Sequence, residues 1–437
     1  MLSFARSARH QARAHRVIPG AAHTYAKGDD QFPEGMCPVV VRGKGAVVWD
    51  RDGNRLIEYG AGVRAVTLGH GHPLVCTAAA RAMANGTNFV RPAALELAAA
   101  EKFLQMIHPA EMVKFCKNGS DATTAAVKLA RAATGRDLVL VCRNQPFFSV
   151  DDWFIATTDT DAGIPTDVAR LTLTFGFNDL PGIRQAFAQH PSRIACVMLE
   201  AENGVQPEPG FLPGLLELCH VHGALFVLDE TITGFRVHNG GGQTLYGITP
   251  DLSTFGKAMG NGFAVSALAG RRQYMELGGL LQTDREKVFL LSTTHGAETH
   301  GLAAFLAVAR VYREQPVVER LHAAGRRLRE GFNARAADLG IAEHLHVIGR
   351  DACLIYVTKD VAGNRSQPYR TLFMQEMLSR GILAPNFFVN LGHSDELIDQ
   401  TLDAAAAAMH VYRDALSAGT DRFLRGRSVK PVFRRYN

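Results

Sequence analysis

The sequence predicts an α/β chain in which a large domain, built on a doubly wound and mostly parallel sheet, is joined to a smaller α+β domain. Three observations carry this. Short apolar runs at 137–141, 194–199 and 224–228 read as strands buried on both faces, the habit of a parallel sheet. Helical periodicities alternate with these runs, as a doubly wound fold requires. After Arg313 the texture changes to long helical stretches, 317–339 and 396–416, flanking short strands at 344–348 and 353–358. The 437 residues fit two or three domains at ~150 residues each.

In chain order, 39–42 and 46–50 read as strands, the second followed by the hairpin turn Arg51-Asp52-Gly53-Asn54. The clearest helix is 121–134, where Ala122, Ala125, Ala126, Leu129, Ala130 and Ala133 share one face. Ser120 is its expected N-cap and Gly135 its stop. Helices at 213–221, with Pro213 in the first turn, and at 301–313 complete the large domain.

Composition excludes several classes. With 47% hydrophobic and 20% charged residues, the chain is neither disordered nor collagen-like. No run approaches the ~18 uncharged apolar residues of a membrane span. The start lacks the apolar core of a secretory signal, and its Arg-rich stretch to Arg16 reads as a solvated first helix, with a transit peptide as the alternative. The seven cysteines are scattered with no Cys-x-x-Cys pair, so free thiols in a reducing, cytoplasmic setting are expected, with no metal site. Of the basic residues behind the net charge of +5, Arg422, Arg425, Arg427, Lys430, Arg434 and Arg435 fall after Asp421. The body is therefore near neutral, which argues against a nucleic-acid footprint.

Chemistry concentrates in two segments. Asp229, in Leu228-Asp229-Glu230-Thr231, directly follows a predicted buried strand, and ligands of open α/β sheets bind at that end. Lys257 follows 28 residues later in Thr254-Phe255-Gly256-Lys257, a glycine-bounded loop. A partly desolvated lysine suits Schiff-base formation, and an aspartate suits a pyridinium nitrogen. Spacing alone leaves a capping aspartate and a surface lysine open. Lys117-Asn118-Gly119-Ser120-Asp121 opens the 121–134 helix, where a glycine, a hydroxyl and first-turn N–H groups suit a phosphate or an ordinary cap.

Taken together, Asn118-Gly119-Ser120-Asp121-Ala122, the run from Leu228 to Arg236, and Phe255-Gly256-Lys257-Ala258-Met259-Gly260 resemble the class III pyridoxal-phosphate aminotransferases. The glutamate-1-semialdehyde aminomutase branch is the nearest likeness. Ile18-Pro19-Gly20, Trp49-Asp50-Arg51-Asp52-Gly53-Asn54, Leu68-Gly69-His70-Gly71-His72-Pro73 and Ala384-Pro385 support it, and the likeness runs over 18–412. It implies a fold-type I transferase with pyridoxal 5′-phosphate as cofactor. It implies Lys257 as the Schiff-base lysine and proton shuttle, and Asp229 at the ring nitrogen. Glu200 would lie close to the cofactor, Gly119 and Ser120 would hold its phosphate, and Phe147 would stack on its ring. Thr293 would reach the neighbouring subunit's phosphate, which implies a homodimer with shared sites. On this frame 1–64 contributes to the small domain, 65–310 is the large domain, 311–416 the C-terminal small domain and 417–437 an exposed basic tail.

Departures from the family pattern fall in the substrate pocket. Phe147-Phe148-Ser149 replaces Tyr-His-Gly, keeping a stacking ring but losing phenol and imidazole. Tyr25-Ala26-Lys27 stands where the aminomutase has a carboxylate-binding arginine, and lysine cannot bind bidentately. Around Asn386 the segment is shortened, and the aminomutase glutamate has no counterpart. These changes favour an aminotransferase acting on small-molecule amino donors and carbonyl acceptors. Tyr25, Lys27 and Asn386 are its candidate substrate residues, and His23 and Asn390 join them in a pocket suited to hydroxylated or sugar-derived carbonyls. The aminomutase is the alternative, and a non-catalytic binding protein on the same fold is the alternative of another class. No nucleic-acid or membrane partner is expected.

Overall fold

The computed structural model describes all residues except Met1, Phe148, Gln282 and Asn437. The chain divides into two compact units, residues 1–72 with 319–432, and residues 73–318 with 433–437.

The first unit opens with helix α1 (Ala5–Ala14) and strands β1 (Val40–Lys44), β2 (Val47–Asp50) and β3 (Arg55–Glu58), which pair as an antiparallel meander. The turn expected at Arg51–Asn54 links β2 to β3. Gly53 sits at φ +90°, and Asp50 Oδ1 accepts the N–H groups of Asp52 and Asn54 at 3.0 and 2.8 Å. Asp52 in turn accepts the N–H groups of Arg6 and Ser7, placing a carboxylate at the start of α1, where the helix dipole favours it.

The second unit contains helices α2 (Pro73–Ala84) and α3 (Ala94–Met106), then β4 (Met112–Cys116), α4 (Gly119–Thr134), β5 (Leu138–Cys142) and β6 (Thr172–Phe175). There follow α5 (Leu180–Gln189), β7 (Ile194–Glu200), α6 (Phe211–Val221), β8 (Leu225–Glu230), β9 (Leu252–Phe255), β10 (Ser266–Gly270) and α7 (Thr299–Glu314). Its seven strands lie in the order β4-β10-β9-β8-β7-β5-β6. The strands β6, β5, β7, β8 and β9 run parallel, and β10 runs against both its neighbours. The sheet is therefore doubly wound and mostly parallel, as the apolar runs predict.

Alternation along these strands builds two cores. Val139, Val141, Cys196, Met198, Leu225, Val227 and Leu252 pack on one face against the alanine-rich side of α4. Leu138, Leu140, Val197, Leu199, Phe226 and Leu228 pack on the other against α5 and α6. One detail differs from the sequence expectation. Asn118, not Ser120, caps α4: its side chain accepts from Asp121 N at 3.1 Å while Asp121 returns the bond to Asn118 N. Asparagine and serine are about equal as caps, and β4 ends early enough at Cys116 for the helix to start at Gly119.

The first unit resumes in α8 (Val317–Asp338) and continues through β11 (Leu345–Ile348), β12 (Ile355–Thr358), α9 (Gln367–Ser379), β13 (Ile382–Leu383) and α10 (Asp395–Ala418). Strand β13 pairs in parallel with β3, so both ends of the chain share one sheet.

One expectation needs correction. The segment after Ala418 is not a free tail. Arg427 N donates to Glu34, Lys430 N donates to Asp30 O at 3.0 Å, Val429 N donates to Thr371 Oγ1 at 2.9 Å, and the Val429 side chain is buried. Its basic side chains gave it a solvated look, whereas its backbone makes the attachment. Cys76 is exposed, while Cys116, Cys142, Cys196 and Cys219 are buried. Burial pushes the Cys142 thiol up to about 11.

Placing a charge at the buried Val429 position should be costly. Val429→Asp is expected to destabilise the protein by roughly 2–4 kcal/mol, read as a lower melting temperature, while a docked segment of no consequence would leave it unchanged.

Candidate active site

The site follows from one break in the strand pattern. On the α4 face, the apolar series Cys196, Met198 on β7, Leu225, Val227 on β8 and Leu252 on β9 ends in Glu200, Asp229 and Thr254. These three lie side by side, since Glu200 pairs with Asp229 and Asp229 with Thr254 across the parallel ladder. All three are buried. The sheet's carboxyl edge, where open α/β sheets bind ligands, therefore carries a polar row on an otherwise apolar face.

Asp229 is held from two directions. Its Oδ1 accepts the Thr254 hydroxyl at 2.9 Å and the Thr231 N–H at 2.9 Å. A buried carboxylate needs donors or a cation, and these two bonds fix its orientation. Glu200 is positioned through its backbone: Gln145 accepts from Glu200 N at 2.9 Å and donates to Glu200 O at 3.0 Å. Gln145, Phe147, Phe154, Glu200 and Asp229 line a small cleft at this edge. Phe147 lies there with its ring stacked on Phe154, centroids 3.6 Å apart. Phe148, part of the departure at 147–149, lies outside the described residues.

Lys257 follows β9. Gly256 is extended, and a Cβ there would come 2.7 Å from Ser266 Oγ, so no side chain fits. Lys257 itself has φ +45° and opens the tight turn Lys257–Gly260. A non-glycine residue in the left-handed region costs on the order of 1–2 kcal/mol, strain of the kind that collects at functional sites. Gly119, opening α4, is similarly confined, since a Cβ would sit 3.2 Å from Thr231 Cγ2.

Behind Asp229 on the opposite face, Glu230 is fully buried and binds the Thr233 hydroxyl and the N–H groups of Gly242 and Gln243. Burial pushes its carboxyl up to about 7, the Asp229 charge adding to the rise while its donors oppose it.

The remaining sequence candidates are distributed as follows. Ser120 lies in the first turn of α4, half-buried. Thr293 is exposed in the loop before α7, next to Thr294, whose carbonyl accepts from Asn88 at 2.8 Å. Tyr25, Lys27 and Asn386 belong to the first unit. Tyr25 and Lys27 are exposed in a short helical turn, and Asn386 is half-buried in the loop after β13. Asn390 is buried. Its Oδ1 accepts Gly392 N at 2.8 Å, while its Nδ2 has no partner among the described residues. Thr254, Thr231 and Gln145 escaped the sequence reading. A threonine three residues before Lys257 in an apolar strand was the visible signal for the first. Gln145 lies in a loop with no pattern to mark it.

The residues present suit a phosphorylated pyridine. A helix start offers first-turn N–H groups to an anion, and a carboxylate held by two donors faces the sheet edge where the ring would lie. The Thr231 hydroxyl is buried beside Gly119 without a partner among the described residues. Fold and donors together are those of a fold-type I pyridoxal-phosphate enzyme. The chain belongs to the class-III aminotransferase family, whose model matches residues 25–409. It is 35% identical to a glutamate-1-semialdehyde 2,1-aminomutase of Desulforudis audaxviator, over 92% of this chain and 97% of that one. Among solved structures it resembles the FumI protein of Sphingopyxis sp. MTA144 in its PLP internal aldimine form, with TM-score 0.86, 28% identity and coverage of 95% and 98%. It also resembles an omega-transaminase from Sphaerobacter thermophilus, with TM-score 0.84, 25% identity and coverage of 93% and 97%. Pyridoxal phosphate is the cofactor. Among the described residues no helix is long and apolar enough to cross a membrane, and no cluster of three His, Cys, Asp or Glu is placed to hold a metal.

The raised Glu230 carboxyl fixes a pH dependence. The folded protein holds this proton more tightly than the unfolded chain, whose carboxyl titrates near 4.5. Stability from this group is therefore full below pH 4.5 and is lost as pH rises through about 7. Glu230→Gln should flatten that part of the melting-temperature profile, and an unchanged slope between those limits would count against the assignment.

Proposed function

We propose that this enzyme is an aminotransferase, moving an amino group from a small-molecule donor to a carbonyl acceptor. The observation that carries the reading is the polar row Glu200–Asp229–Thr254, with the strained Lys257 turn following the last of its strands. When bound, pyridoxal phosphate stabilises the negative charge that develops at the substrate carbon bearing the amine.

In this reading Lys257 Nζ attaches the cofactor and then moves the proton at that carbon. Asp229, oriented by Thr254 and Thr231, keeps the ring nitrogen protonated. Gly119 and Ser120 hold the phosphate, Phe147 covers the ring once turned from Phe154, and Glu200 stands beside Asp229 as a second carboxylate. Thr293 completes the phosphate site of a partner subunit. Exposed Phe89, Val90, Leu280, Leu281 and Phe289 in the same unit support a homodimer, because so many large apolar side chains are seldom left in water.

Substrate choice is assigned to Tyr25, Lys27 and Asn386. Their hydroxyl, ammonium and amide suit an acceptor carrying hydroxyl groups, such as a sugar-derived aldehyde or ketone. The aminomutase is the second reading, favoured by the 35% identity to a protein of that name and opposed by Lys27 in place of an arginine.

Two experiments decide. Lys257→Ala should abolish the visible absorbance of the bound cofactor and lower turnover by at least ~10³-fold, a nucleophile's loss being of that order. Incubation with single amino donors should convert the wild-type spectrum to the amine form of the cofactor. Conversion by no external donor, with glutamate 1-semialdehyde turned over to 5-aminolevulinate, would instead establish the aminomutase.

A further inference from the structure

We infer that Thr231 is an additional cofactor-binding residue, its hydroxyl bonding a polar atom of bound pyridoxal phosphate. This deepens the reading of the site given above and rests on it.

The Thr231 Oγ1 is closed off from solvent and has no hydrogen-bond partner among the described residues. The Thr172 hydroxyl in β6 is also buried without a partner, but it lies away from the polar row, and several other threonines satisfy theirs within a helix. Thr134, Thr244, Thr371 and Thr401 each donate to a carbonyl one helical turn back, at 2.7–2.9 Å. Thr231 follows the end of a strand and has no such carbonyl to use. A buried hydroxyl without a partner carries a desolvation cost that a valine of nearly the same shape would avoid. A hydroxyl at this position is therefore accounted for by a ligand that meets it.

The surroundings identify that ligand. Thr231 N donates to Asp229 Oδ1 at 2.9 Å. Its side chain lies against Gly119, where a Cβ would come 3.4 Å from Oγ1, and against Gly256, where a Cβ would come 3.4 Å from Cγ2. One side chain thus adjoins the ring acid, the helix start and the residue preceding Lys257. Asp229, bonded to Thr231, lines the small cleft at the sheet edge, so a ligand entering that cleft would lie beside this side chain. The hydroxyl acts in binding and takes no part in proton transfer.

The test compares full-length Thr231→Val and Thr231→Ser with wild type, measuring cofactor dissociation constants by fluorescence titration and the melting temperatures of the apoenzymes. Thr231→Val should bind pyridoxal phosphate about tenfold more weakly, the loss of roughly one good hydrogen bond, while its apoenzyme melts no lower than wild type. Thr231→Ser should stay within about twofold in affinity, since its hydroxyl survives. A purely structural role would lower apoenzyme stability and affinity together, and that outcome overturns the inference, as does wild-type affinity in Thr231→Val. Lys257→Ala separates the two levels. If it retains the visible cofactor band, the site itself is misassigned and this inference falls with it. If it loses the band while Thr231→Val binds normally, the inference about Thr231 alone fails.

Discussion

A carboxylate at the edge of a sheet that is otherwise apolar is the constraint around which the second unit is arranged. Asp229 continues the face of Leu225 and Val227, which belongs to the core against α4. A buried carboxylate needs donors close by, and the fold provides them from the neighbouring strand and from its own chain two residues on. That requirement propagates. Thr231 must curl back to bond Asp229, which brings its side chain against the start of α4 and leaves room only for glycine at 119. Thr254 must sit opposite Asp229, which fixes the register of β9 and hence the place where Lys257 leaves the sheet. The left-handed backbone at Lys257 is tolerated because strands β9 and β10 over-determine the turn between them.

Much of this was legible in the sequence, and for a simple reason. Strands buried on both faces must be apolar throughout, so 137–141, 194–199 and 224–228 advertised themselves and are found as β5, β7 and β8 within a residue or two at each end. Asp229 and Glu200 stood out because they end such runs. The partners of Asp229 were harder to see, since a threonine in a strand is ordinary and its hydrogen bond depends on lateral register, which no local pattern encodes. The cap of α4 was misplaced by two residues because Asn118, Ser120 and Asp121 stand close together and each could have served. The docked segment near Val429 was invisible for a different reason: its hydrogen bonds use backbone groups and meet residues almost the full chain length away, where periodicity carries no information.

The cofactor machinery and the groups proposed to select the substrate have separate origins in the chain. The former gathers at the carboxyl edge of one sheet, on the strand ends and the helix, turn and loops beside them, where buried apolar packing dictates the geometry. The latter, Tyr25, Lys27 and Asn386, lie on irregular segments of the first unit, where few buried contacts constrain side-chain identity. This explains how relatives named for an internal amino shift and for transamination can share one fold. On the proposed assignment, the chemistry is held by the core and specificity by residues that the core does not restrain.

The attachment of the last residues has a consequence for biosynthesis. The second unit is formed by residues 73–318 apart from a short terminal stretch, so nearly all of its core has left the ribosome long before synthesis ends. The first unit is different. Gln31 bonds the carbonyl of Lys430 across 399 positions, and β3 waits for β13 to pair with it. Residues 29–58 must therefore wait for partners made far later, with the edge of β3 and the surroundings of Asp29–Glu34 uncovered until then. Domains fold as units during synthesis and exposed strand edges invite aggregation. Residues 29–58 are thus the exposed stretch of the nascent chain, and their cover comes from residues made far later, β13 for β3 and Lys430 for Gln31.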